Sequence, residues 1–412
     1  MIRKNLKSIN FFRTNSHLAK GMIKMKSVRW KIGIFLGIFF LIWINHTISY
    51  ATDNEVLESQ KKAVGIPEFI EEAENYTKET LEGTGINPEE VLNEAIEGNV
   101  NHSKLIGFLF RILGNEVKNA VTTVGIILVI IVIHSILKSI SDGLENQGIS
   151  KVIFYVEYIL IVTLIMANFA DIIKMAVGAI SSLVDITNLL IPILITLMIT
   201  TGSIVSAGVV QPVLLFAVSF IGNIINSLVV PILMISTVLS IISNISDKVQ
   251  IGKLSKFFKS SVVWTLGVLL TVFVSILSLE GSLSSSVDGI TAKTVKAATS
   301  TVIPVVGKVL GDSVDTVLGC AGILKNACGV LGVIIIIAIC AMPIIKLSIL
   351  TAVYKLAGAA VEPIADEKIV KLLEQMGDTF KILLAILFSV STLLIIGITI
   401  VIKISNSSMM YR

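Results

Sequence analysis

Lys308, Asp312 and Asp315 are the residues whose types and spacing best suit chemistry within this apolar chain. With Gly319 and Gly322 they fall at i, i+4, i+7, i+11 and i+14, so a helix over 304–323 carries all five on one face. Val309, Leu310, Val317 and Leu318 point elsewhere. Such a face suits a polar path between packed helices or a subunit contact within a membrane. The plainer alternative is an interfacial helix with its polar side in water. Moving back 112 residues gives Thr196, Thr200, Ser203, Ala207 and Val210, of which four are again polar or small. Gly307 and Gly311, four apart, would let a second helix approach closely.

Other reactive side chains are scattered. Glu157 lies inside an apolar run, and an acid in such a place is a functional candidate. It is about six residues from Lys151, so the membrane–water interface is an equally good home for it. His134 has no partner histidine or carboxylate at ligand spacing and reads as a packed side chain. Cys320, Cys328 and Cys340 are odd in number and lie in or near apolar helices, which suits buried free thiols. Gly307-Lys308 is followed by Val309, and Gly252-Lys253 by Leu254, so neither completes a phosphate-binding loop. The H-E-x-x-H and G-x-S-x-G patterns are also missing. The sequence therefore suggests no catalytic residue, no cofactor and no metal ligand, and a protein that is not an enzyme.

The elements that must carry these residues are transmembrane helices. The chain has 412 residues, 54% hydrophobic and 15% charged. Soluble proteins average about 25% charged. Apolar runs near the roughly 20 residues needed to span a bilayer recur at 120–138, 152–170, 228–245, 261–279, 330–350 and 380–402. The net charge of +4 is small and unevenly placed, and does not argue for nucleic acid. The expected class is all-α: a polytopic helical membrane protein with internally repeated hairpins and amphipathic or re-entrant segments. Ile140-Ser141-Asp142, Ile245-Ser246-Asp247 and Ile364-Ala365-Asp366 each end an apolar stretch and open a charged connection. Pro192 and Pro304 share the 112-residue offset, as do Pro231 and Pro343.

Charge sets the expected sidedness. Lys248, Lys253, Lys256 and Lys259 oppose Asp247 alone in the loop 246–260, and short basic loops stay in the cytoplasm. The loops 139–151 and 351–379 should share that side. Lys253, Lys256, Lys259 and Asp366 are then candidates for cytoplasmic loop contacts. The intervening segments 171–227 and 280–329 must each begin and end outside. The first is apolar enough to cross twice, near 186–206 and 209–227. The second is not, because it holds Lys293, Lys296, Lys308, Asp312, Asp315 and Lys325. Six to eight spans result.

Residues 1–31 carry nine basic residues and no acid, followed by an apolar core over 32–44 and Ser49-Tyr50-Ala51, the pattern of a signal peptide over 1–51. Met22 or Met25 as the start would leave an ordinary signal, and an uncleaved anchor is the rival. Residues 52–118 form an acidic extracytoplasmic helical arm, with thirteen acids between Asp53 and Glu97. Asn87-Pro88-Glu89-Glu90 is a good helix start. The arm is either solvated or a docking surface. A membrane domain spans 119–404, and 405–412 is a short extracytoplasmic tail.

The strings Gly307 to Cys320, Tyr354 to Asp366 and Lys368 to Asp378 resemble the stage III sporulation protein AE family. The resemblance implies a membrane component of the channel complex between mother cell and forespore, in the mother-cell membrane around the forespore. It implies partners among the other stage III subunits, including ring-forming extracytoplasmic proteins and a secretion-type ATPase, besides membrane lipid. It carries over no catalytic residue. A homo-oligomer, a scaffold role and an autonomous ion-coupled transporter remain open at this point.

Overall fold

The computed structural model describes residues 54–81, 87–99, 102–142, 147–245, 251–302 and 306–410. The signal-peptide region 1–51, with Met22 and Met25, lies outside the described residues. So do the side chains of 279–315.

The described residues form helices and no strand. Three short helices come first: α1 (Asn54–Ala63), α2 (Ile66–Leu81) and α3 (Pro88–Glu97). Gly65, at φ +78°, turns the chain between α1 and α2. Asn87 caps α3 as its sequence suggests. Its Oδ1 accepts from the Glu89 amide at 2.7 Å, Pro88 begins the first turn, and left-handed Gly98 ends the helix.

The long helices follow: α4 (His102–Asp142), α5 (Gln147–Thr200), α6 (Ile204–Ile224), α7 (Val230–Ile245), α8 (Gly252–Val302), α9 (Val306–Val361) and α10 (Glu367–Met410). A π-helical turn, Ile225–Val229, joins α6 to α7 without a break. Among the described residues, six stretches are long and apolar enough to cross a membrane: Phe110–Ile133, Tyr158–Thr200, Ile204–Asn244, Gly252–Ser278, Thr316–Val361 and Glu367–Ile404.

The segments expected to cross at 186–206 and 209–227 fall in two helices, the end of α5 and α6, which face each other across a hairpin that turns at Thr201-Gly202-Ser203. Gly202 alone takes a left-handed conformation there, at φ +85°. Pro192 does not break α5, since a proline at this depth costs one backbone donor and the helix runs on around it. The segment 280–329 is likewise helical as far as Val302 and again from Val306, as extensions of α8 and α9. Pro304 falls between those helices, outside the described residues, whereas Pro192 is inside one.

α9 and α10 pack antiparallel. Lys355 pairs with Asp378 at one end and Lys325 with Asn406 at the other. α5 packs antiparallel to α6 and the π-turn after it, through Asn188 with Ser219 and Ser181 with Asn226, two rungs that are seven residues apart on each side of the pair. α9 is the central helix and touches α4, α5 and α10. It also receives the acidic arm. Leu57, Ile66, Phe69, Ala73, Val91 and Leu92 are buried, so the arm lays an apolar face on the bundle and turns its acids outward. It is not a solvated extension.

Candidate functional site

Among the described residues, two polar clusters stand out in a mainly apolar interior, one near each end of the bundle. The first gathers where α7, α8 and α10 adjoin the hydrophilic connections. α7 presents Ser236, Thr237, Ser240 and Asn244 on one face, at i, i+1, i+4 and i+8. Ser236 donates to the Ser255 carbonyl at 2.8 Å, Ser255 donates to the Ser236 carbonyl at 2.8 Å, and Ser240 and Ser255 share a hydrogen bond. Thr237 meets Thr379 of α10 at 3.3 Å. Asn244 donates to Gln375 Oε1 at 2.8 Å, and Lys259 reaches the Gln375 carbonyl at 3.4 Å. Tyr158 of α5 donates to the Ile241 carbonyl at 3.0 Å. Ser236, Thr237, Ser240, Ser255 and Thr379 are all buried. In an apolar interior such groups are costly unless paired, and here they pair across three helices.

The second cluster lies toward the other end. Lys325 is fully buried in α9, and its Nζ donates to Asn406 Oδ1 of α10 at 2.7 Å. Asn406 Nδ2 in turn donates to Asn326 Oδ1 at 3.3 Å. The arm docks close by, with Gln60 Nε2 donating to the Val317 carbonyl at 3.0 Å. Lys61 is held by Glu58 at 2.7 Å and by Asn93 at 3.2 Å. Tyr76 of the arm shares a hydrogen bond with Asp185 of α5. Burial, then the Asp185 and Glu72 carboxylates, push its phenol above the ordinary value.

The residues singled out from sequence are distributed as follows. Lys308, Asp312, Asp315, Gly307 and Gly311 are in α9, helical as expected, but their side chains lie outside the described residues. Gly319 is exposed on the same helix. Thr196 and Thr200 end α5 and bond back to their own helix, Thr196 to the Pro192 carbonyl and Thr200 to the Thr196 carbonyl, both at 2.9 Å. Ser203 is buried in the hairpin turn. Glu157 and His134 are helical, with side chains outside the described residues. Lys253 and Lys256 are exposed at the start of α8, while Lys259 turns inward. Asp366 precedes α10, and its carbonyl accepts from the Ile369 and Val370 amides. Cys320, Cys328 and Cys340 form no disulfide and are buried.

The hydroxyl cluster and Lys325 were missed. The only signal was a run of Ser and Thr on one face of α7, and serine is too common in membrane helices to single out. Among the described residues, no three His, Cys, Asp or Glu side chains are grouped to hold a metal. What the two clusters do is fix helices against one another by hydrogen bonds at defined heights.

The stage III sporulation protein AE family model matches residues 86–405. The stage III sporulation protein AE of Bacillus subtilis (strain 168) is 31% identical over 323 residues, covering 78% of this chain and 81% of that protein. No solved structure matches.

Proposed function

The chain belongs to the stage III sporulation protein AE family, and from that membership we propose that it is a non-enzymatic membrane component of the channel between mother cell and forespore. The match over residues 86–405 carries this reading, because it takes in the last arm helix and all six long apolar stretches. The likeness therefore covers a whole architecture and not a shared motif. On this reading the protein sits in the mother-cell membrane around the forespore and sustains late forespore gene expression. Its partners are other stage III subunits, including ring-forming extracytoplasmic proteins and a secretion-type ATPase. The exposed acids Glu68, Glu71, Glu72, Glu89 and Glu90 on the docked arm offer the ring proteins a firm surface. Lys253 and Lys256, exposed at the start of α8, support a contact with the ATPase on that side.

The test is deletion of the gene in a sporulating host, with a late forespore reporter and spore counts. Loss of both, restored by the intact gene, is the expected result. Normal reporter output and normal spores in the deletion would overturn the proposal. Asp312→Ala with Asp315→Ala then separates roles for the α9 face. Normal assembly with lost output marks a conducting surface, and lost assembly marks a packing one.

A further inference from the structure

The three lysines at the start of α8 have different environments. Lys259 turns inward to the Gln375 carbonyl. Lys253 and Lys256 stay exposed and form no hydrogen bond or ion pair with the described residues. Below Lys253 on the same helix face, at i+4, i+7, i+11 and i+15, come Phe257, Ser260, Trp264 and Val268, all exposed. Phe257 is 63% exposed and Trp264 71%. The stripe thus grades from cation to aromatic to aliphatic. Trp264 lies about 16 Å from Lys253 along the axis at 1.5 Å per residue. The whole stripe falls within Gly252–Ser278, a stretch apolar enough to cross a membrane.

We propose that Lys253 and Lys256, with Phe257 and Trp264 beneath them, form a binding site for the headgroup of an anionic phospholipid in the surrounding bilayer. The lysines supply two positive charges at headgroup height, with stems that can lie along the aromatic rings. Phe257 then meets the boundary between headgroup and chain, and Trp264, deeper in the leaflet, packs against the acyl chains. An acidic protein surface would satisfy the lysines equally well. It would leave Phe257 and Trp264, which continue the apolar face of the helix, without an apolar partner. The lipid satisfies both halves of the stripe.

Trp264 makes the site directly observable, because the other tryptophans are Trp30 and Trp43. The full chain carrying Trp30→Phe and Trp43→Phe would be placed in phosphatidylcholine vesicles containing graded amounts of brominated phosphatidylglycerol or brominated phosphatidylcholine. The anionic lipid is expected to quench Trp264 at the lower mole fraction, with relative association favoured on the order of fivefold. Lys253→Ala with Lys256→Ala should remove that preference and leave quenching by brominated phosphatidylcholine unchanged. Equal quenching by the two lipids before substitution would overturn the assignment. So would a preference that survives loss of both lysines, or an absence of quenching by either lipid.

Discussion

Lys325 and Asn406 face each other across the antiparallel α9–α10 pair, the lysine Nζ 2.7 Å from the amide oxygen. The lysine is fully buried, and no carboxylate pairs with it among the described residues. A buried amine that loses its acceptor costs more than a pair that was never made. Asn406→Leu should therefore destabilise the bundle by roughly 1–3 kcal/mol or more. Lys325→Met should cost less, and the double variant should recover much of the Asn406→Leu loss. Thermal unfolding of the four proteins in one detergent checks this. Additive losses in the double variant would deny the coupling.

Gly222 meets Val184 where α6 crosses α5, and a methyl group added at Gly222 would come 2.5 Å from Val184 Cγ2. A β-branched valine cannot swing clear inside a helix. Gly222→Ala should cost about 1–3 kcal/mol by overpacking, and Val184→Ala in the same chain should restore part of it. Gly332 offers a contrast. Its added methyl would meet the Cδ2 end of Leu190, a side chain not branched at Cβ, so Gly332→Ala should be milder. Unfolding midpoints for the three variants rank these costs, and an equal penalty at Gly222 and Gly332 would contradict the argument.

Ser255 is the hub of the hydroxyl cluster, joined to Ser236 and Ser240. Ser255→Ala strands the Ser240 hydroxyl in an apolar interior, at a cost of about 1–3 kcal/mol. Ser240→Ala together with Ser255→Ala should cost less than the sum of the two single changes, because the stranded group is then gone. A double-mutant cycle on thermal stability gives the answer directly.

The class of this fold was legible because apolar runs of bilayer length admit few other structures. Asn87 and Pro88 also marked the start of α3 by purely local rules. The folding of the hairpin at Gly202 was harder to see. Nothing in 186–227 is polar enough to mark where one long helix pair extends and where a second pair would begin. The arm was ambiguous for a different reason. Phe69, Ala73, Val91 and Leu92 are spaced for a helix face, but the acids between them mask the stripe in any composition count. Lys325 was read as one of several charges that barred a crossing. In fact Asn406, 81 residues away, receives it, and a single sequence carries no sign of that partnership.

The arm gives a further test. Phe69 is 3% exposed, and its ring is part of what holds the arm on the bundle. Phe69→Ala should cost about 3–5 kcal/mol locally and make residues 54–97 more sensitive to protease while the α9–α10 pair resists. Limited proteolysis with mass spectrometry reads both regions at once. Uniform protection, or simultaneous loss of both, would show that the arm is not a separable layer.

The docking of α1, α2 and α3 on α9 also fixes an order of events during synthesis. The arm leaves the ribosome first, but Val317, whose carbonyl receives Gln60, comes 257 residues later. At 5–20 residues per second, that is a wait of about 13–51 s. For that time the arm lacks the part of its platform that α9 supplies. The acids that crowd the arm would keep it soluble and unaggregated meanwhile, so its charge serves the nascent chain before it serves the finished one.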